Sequence, residues 1–203
     1  MIRLVVAALL AVACAGCATT AAVTVLGKVT EAALEASGLK KPEVPADVPK
    51  APRKVALRIH AGQALNTDAG GRSLSLVTRV YKLKDSNAFQ QAPYEVFGNP
   101  AKEKELLGND LVEVREVLLV PGQRYEVEEK VSREAGYVGL VALFRAPAAQ
   151  RWKYAFQSEA AEKTGVTVGA HACALSVTVG APVGSAENGL LGPVRCQTEL
   201  AQP

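Results

Sequence analysis

Residues 65–83 read LNTDAGGRSLSLVTRVYKL, a polar, glycine-bearing loop that runs straight into a strand. From Leu74 to Leu83, the residues Leu76, Val77, Thr78, Val80 and Tyr81 favour a strand, because β-branched and aromatic side chains fit a pleated, half-buried surface. Ahead of them, Asn66, Asp68, Gly70 and Gly71 are turn formers: the glycines tolerate positive φ, and Asn and Asp side chains bond nearby amides. Leu65 to Ser73 is therefore expected at the surface. The plain alternative is a hairpin connection with no task beyond joining two strands.

Working outward, Val55, Leu57 and Ile59 alternate with Ala56, Arg58 and His60 as in a half-buried strand, so a domain is expected to begin near Lys54. After the loop and its strand, Asp85 or Ser86 can cap a short helix through Ala92. Asn99-Pro100 is a second helix start, with Gly108 as its stop. Strands are then expected at Leu111 to Val120 and Tyr125 to Val131, separated by Pro121-Gly122. Tyr137 to Arg145, Trp152 to Phe156, Val166 to Gly169 and Ala172 to Val179 continue the series. The sum is a mainly β protein, a two-sheet β-sandwich over residues 54–179 with a small helical insertion. A glycine- and proline-rich tail, 180–203, follows.

The 203 residues, 49% of them hydrophobic, suffice for one buried domain with appendages. A net charge of +3 is too small and too mixed for a nucleic-acid partner, which requires a clustered basic face. Met1-Ile2-Arg3 followed by the apolar run Leu4 to Ala13 reads as a secretory signal, well short of the ~20 residues that span a bilayer. It ends in Ala13-Cys14-Ala15-Gly16-Cys17, where a cysteine after small residues is an acylation site of bacterial lipoproteins. A plain cleaved signal without lipid is the alternative.

Cysteine parity bears on which residue is acylated, because an oxidising periplasm disfavours a leftover thiol. With Cys17 first in the mature chain, residues 1–16 are removed and Cys173 and Cys196 remain as a disulfide pair. With Cys14 first, for which Ala11-Val12-Ala13 is a suitable cleavage site, Cys17 is left over. Cys17 is preferred. Either way alanine follows, not the aspartate that commonly retains lipoproteins in the inner membrane, so an acyl anchor in the outer membrane is expected. Within residues 17–53, Ala21 to Ser37 has the spacing of an amphipathic N-terminal helix ended by Gly38. Lys40 to Arg53, KKPEVPADVPKAPR, is expected to be an extended spacer reaching ~3.1 Å per residue.

Signals for chemistry are weak. Asn66 to Gly71 resembles the start of a calcium loop, but the residue twelve along is Val77 where a bidentate glutamate belongs. His60 and His171 each stand alone in strand-like segments, so no metal site is expected. Neither a G-x-S-x-G elbow nor a phosphate-binding glycine loop occurs. Glu126, Glu128, Glu129, Lys130 and Arg133 read as a solvated strand edge, and Tyr81, Tyr125, Tyr137, Phe144 and Trp152 as core or sheet-face residues. No enzyme and no cofactor are expected. By elimination, Leu65, Asn66, Thr67, Asp68, Ala69, Gly70, Gly71, Arg72 and Ser73 form the candidate binding loop. Arg72 offers a planar fork to a partner and Asn66 and Asp68 offer hydrogen bonds; the alternative for all three is that they pin the loop to itself, and for Asp68 the two readings weigh equally.

The ordered set Leu65-Asn66-x-Asp68-x-x-Gly71-Arg72, Arg79-x-Tyr81-x-Leu83, Phe89, Pro121-Gly122, Tyr137-x-Gly139 and Trp152 resembles the TssJ family, outer-membrane lipoproteins of the type VI secretion membrane complex. The likeness covers roughly Val55 to Val179, and Ser75 departs from it where members commonly carry proline. The resemblance implies a transthyretin-like sandwich on the periplasmic face of the outer membrane. It further implies that the loop between the first two strands contacts the periplasmic C-terminal region of TssM, within a complex that also contains TssL. The rival expectation is a periplasmic ligand-binding or chaperone-like lipoprotein, which needs a cavity lined by the tyrosines.

Overall fold

The computed structural model describes residues 50–184 together with Val194 and Cys196. The expected signal peptide, the acylated Cys17 or Cys14, the helix Ala21 to Ser37 and residues 40–49 of the spacer lie outside the described residues. So does most of the tail beyond Gly184.

Eight strands are described: β1 (Arg53–Ala61), β2 (Leu76–Leu83), β3 (Leu111–Leu119), β4 (Arg124–Val131), β5 (Tyr137–Ala142), β6 (Lys153–Gln157), β7 (Val166–Ala170) and β8 (Leu175–Val179). They form two four-stranded sheets, ordered β4-β1-β7-β8 and β3-β2-β5-β6. All neighbours are antiparallel except β1 and β7, which run parallel. Alternation makes the core: Val55, Leu57 and Ile59 point inward at 1% exposure or less and meet Leu76, Val80, Leu119, Leu140 and Phe156 between the sheets. Burying each large aliphatic side chain contributes about 1.5–3 kcal/mol relative to leaving it in water.

Among the described residues, three short α-helices accompany the sheets: α1 (Asn87–Gln91), α2 (Pro100–Leu107) and α3 (Ser158–Thr164). Asn99 caps α2 as its sequence predicts, its side chain accepting from the amides of Ala101 and Lys102, with Pro100 in the first turn. The α1–α2 excursion lies on the outer face of the second sheet, where Phe89, Phe97 and Leu107 pack on Tyr81 and Leu83. A buried ion pair, Arg79 with Glu103, fastens α2 to β2, and Glu103 also accepts from the amide of Gly98. Lys153 fastens α1, donating to the carbonyls of Phe89, Gln90 and Ala92 at 2.6–2.8 Å.

The structure corrects the sequence reading in several places. Glu129 is 5% exposed, not part of a solvated edge: it falls on the inward phase of β4, where it meets Arg115 and, at 4.0 Å, Lys82. The edge position of β4 and the exposure of Glu126, Glu128 and Lys130 hold. Helix α3 was not expected from sequence. Its signal is modest: an exposed Glu159–Lys163 pair one turn apart and a stop at Gly165, φ +71°. Strand β2 begins at Leu76, not Leu74, and β8 at Leu175, not Ala172.

Candidate functional site

Strands β1 and β2 belong to different sheets, so the loop between them is an arch across one end of the sandwich and not a hairpin. Its two feet are anchored first. Leu65 is fully buried in the core, and its carbonyl accepts from the amide of Leu74 at 2.9 Å, closing the arch. Asn66 is 8% exposed with φ +44°, a left-handed conformation that Asn tolerates better than most residues. Its Nδ2 donates to the carbonyl of Ser75 at 2.8 Å, and its Oδ1 accepts from the amide of Arg145 at 2.8 Å. The amides of Asn66 and Thr67 donate to the carbonyls of His171 and Ala172 at 3.1 and 3.0 Å. Ser73 Oγ donates to the carbonyl of Gln63 at 2.7 Å.

Asp68 organises the tip. Its amide donates to the carbonyl of Arg72 and its own carbonyl accepts from Gly71, at 3.0 and 2.9 Å. Its Oδ1 accepts from the amides of Gly70 and Arg72, both at 2.9 Å, while Oδ2 accepts from Arg72 Nε at 2.8 Å and Nη2 at 2.7 Å. The Arg72 amide and then its guanidinium hold the Asp68 carboxyl below the usual carboxylate range. Gly71, at φ +76°, supplies the reversal that other residues adopt only with strain. Gly70 does not need positive φ; a Cβ there would lie 3.3 Å from Asp68 Oδ1, so its use is close approach.

The predicted loop residues thus divide by task. Leu65 and Asn66 are buried and form the feet of the arch, and Asp68 is its brace. Ala69, Gly70, Gly71, Arg72 and Ser73 are exposed, and Asp68 engages only the Nε and Nη2 edge of the guanidinium, whose side chain is 83% exposed. Arg145, His171, Ala172 and Gln63 support the arch from up to about a hundred residues away, and no sequence signal joined them to it.

Other reactive-looking groups have structural tasks. Lys153 is half-buried against the Phe89, Phe97 and Trp152 rings and burial pushes it down to about 8, yet its ammonium is held by three backbone carbonyls. His171 Nε2 lies 2.9 Å from Ser176 Oγ, and His60 lies 3.6 Å from Glu126. Among the described residues no group of three or more His, Cys, Asp or Glu is placed to hold a metal ion. Tyr81, expected in the core or on a sheet face, packs at 5.5 and 5.7 Å against the rings of Phe89 and Phe97. Cys173 and Cys196 are joined, with their Cα atoms 5.6 Å apart.

The described residues form a two-sheet sandwich with a core of buried side chains, crossed at one end by a polar loop braced through Asp68. The chain belongs to the T6SS-SciN family, the type VI secretion lipoproteins VasD, EvfM and TssJ, whose model matches residues 53–173, more than half its length. It is similar to the T6SS lipoprotein TssJ1 from Pseudomonas aeruginosa, with 28% identity and a TM-score of 0.56, covering 63% of this chain and 96% of that one. A chain of a structure described as "Type VI membrane complex" matches at 27% identity and a TM-score of 0.57, covering 63% and 98%. A chain of a structure described as "T6SS protein TssM C-terminal domain (869-1107) from EAEC" matches at 27% identity and a TM-score of 0.52, covering 62% and 98%. No curated protein sequence matches significantly.

Proposed function

We propose that this chain is a non-enzymatic structural component of a type VI secretion trans-envelope complex. An acylated Cys17, with Cys14 as the alternative, holds it to the periplasmic face of the outer membrane, and the arch at residues 65–73 docks on the periplasmic C-terminal region of TssM, in an assembly that includes TssL. The observation that carries this reading is the Asp68-braced tip: Ala69 to Ser73 are exposed while their shape is set by bonds inside the loop. A surface already ordered before binding loses little conformational freedom on docking, which favours affinity. Membership of the type VI secretion lipoprotein family, and likeness to chains in structures described by TssM and by the membrane complex, support the partner.

The contact is assigned to the tip backbone from Ala69 to Gly71 and the free edge of Arg72. The test is a pulldown and titration of the TssM C-terminal region against the wild type and a variant with Gly70-Gly71 deleted. Loss of binding by a variant that keeps the wild-type near-ultraviolet circular dichroism is the expected result; full binding by that folded variant overturns the loop's role. Mass spectrometry of the mature N-terminus separates acylation at Cys17, acylation at Cys14, and an unlipidated product, the last of which removes the anchor.

A further inference from the structure

The turn between β7 and β8 is where the arch is held. Across it, His171 donates its amide to the carbonyl of Ala174 at 2.9 Å. The carbonyls of the turn are taken by two other segments. The His171 and Ala172 carbonyls accept from Asn66 and Thr67 of the arch, and the Cys173 carbonyl accepts from Ala148 at 2.9 Å. Ala148 lies in the same connection as Arg145, whose amide bonds the Asn66 side chain. Cys173 is 4% exposed, packed with Ala148, Ala174 and Val194, and covalently tied to Cys196.

From this convergence we propose that Cys173 and Cys196 are positioning residues for the docking loop: their disulfide holds the β7–β8 turn in the geometry that presents the His171 and Ala172 carbonyls to the arch. This rests on the docking role of the arch proposed above. The physical argument is local. Beyond Leu65 the arch has little buried apolar area, so its order depends on polar bonds to a turn that is itself a short connection. Segments of that kind open separately from the core. A covalent tie limits the conformations the turn can enter. When the turn opens, the binding-competent fraction of the arch falls, and the apparent Kd rises in inverse proportion.

The test uses the full mature lipoprotein in detergent, folded first and then reduced with a dithiol. Two electrons and two protons pass to the protein disulfide, Cys173 and Cys196 become thiols, and the reagent becomes its own disulfide; intact mass after alkylation verifies the change. Amide hydrogen exchange and the Kd for the TssM C-terminal region are then measured on the oxidised and reduced forms and on Cys196→Ser. The expected result is exchange at Asn66 and Thr67 faster by about tenfold or more, β2 amides such as Val80 and Tyr81 unchanged, and affinity lower by about tenfold. Unchanged exchange at Asn66 and Thr67 overturns the proposal, as does equal acceleration in β2, which is general destabilisation. Unchanged affinity overturns it when the Gly70-Gly71 deletion abolishes binding. If the deletion variant binds normally, the docking reading fails instead, and the exchange measurement alone decides whether the disulfide braces the arch.

Discussion

Strand β2 leaves the sandwich at both ends, and the two excursions are held by different physics. Before it, the arch of residues 65–75 is polar, and almost every bond that shapes it runs between backbone groups or through Asn66 and Asp68. After it, the α1–α2 excursion is held by burial, with Phe89, Phe97 and Leu107 at 6% exposure or less and a buried Arg79–Glu103 pair. A segment held by burial must turn its side chains inward. A segment held by hydrogen bonds from its backbone and its feet is free to keep its outer surface for a partner. That contrast is why the arch, and not the larger helical excursion, is proposed for the docking task.

The sharpest way to break the comparison is to empty the buried side of it. Phe89→Ala removes a 1%-exposed ring, and a loss of about 3–5 kcal/mol is expected in urea unfolding. The variant that remains folded should keep its affinity for the TssM region; a matching loss of affinity would mean that the helical excursion also contributes to docking. A smaller effect comes from Gly139, where an added Cβ would meet the Phe89 ring at 2.9–3.3 Å. Gly139→Ala should cost about 1–3 kcal/mol by overpacking, again without change in partner affinity.

On the other side, Gly71→Ala places a Cβ at φ +76° in otherwise open space, so its cost of about 1–3 kcal/mol is backbone strain alone. Gly70→Ala, whose backbone is unstrained, should cost less and act mainly through Asp68. Measuring both in one thermal series separates conformational strain from close approach, and equal losses would refute that division. The smallest effect is on pH. Because the folded pKa of Asp68 is depressed, its contribution is present above the unfolded carboxylate value of about 3.9 and is lost as pH falls through the lower folded value. Protection of the Gly70 and Arg72 amides should therefore persist on acidification from pH 7 to about 4 and disappear below it, with no such step in Asp68→Asn. A protection loss near pH 5 would contradict the Arg72 pairing.

How much was legible follows the range of each interaction. The turn at Asp68 to Arg72, the cap at Asn99 and the inward phase of β1 depend on residues within a few positions of one another, and local chemistry exposed them. Glu129 was misread because composition made it one charge among several, while the phase of β4 put it inside. Helix α3 was missed because no side chain caps its start. A hairpin is the plain alternative for residues 65–73 in the sequence because strand order says nothing about which sheet each strand joins.

By itself, the sequence determined that this chain is a β protein with a polar, glycine-shaped connection near Asn66, since strand propensity, alternation and turn chemistry act over a few residues. Only the tertiary structure decided that this connection bridges two sheets, that Asn66 is a buried foot while Ala69 to Ser73 face outward, and that the carbonyls holding it come from the turn bearing Cys173. The reason is physical: a backbone amide has no preference for a particular carbonyl until packing brings one to about 3 Å, and here that partner is more than a hundred residues away.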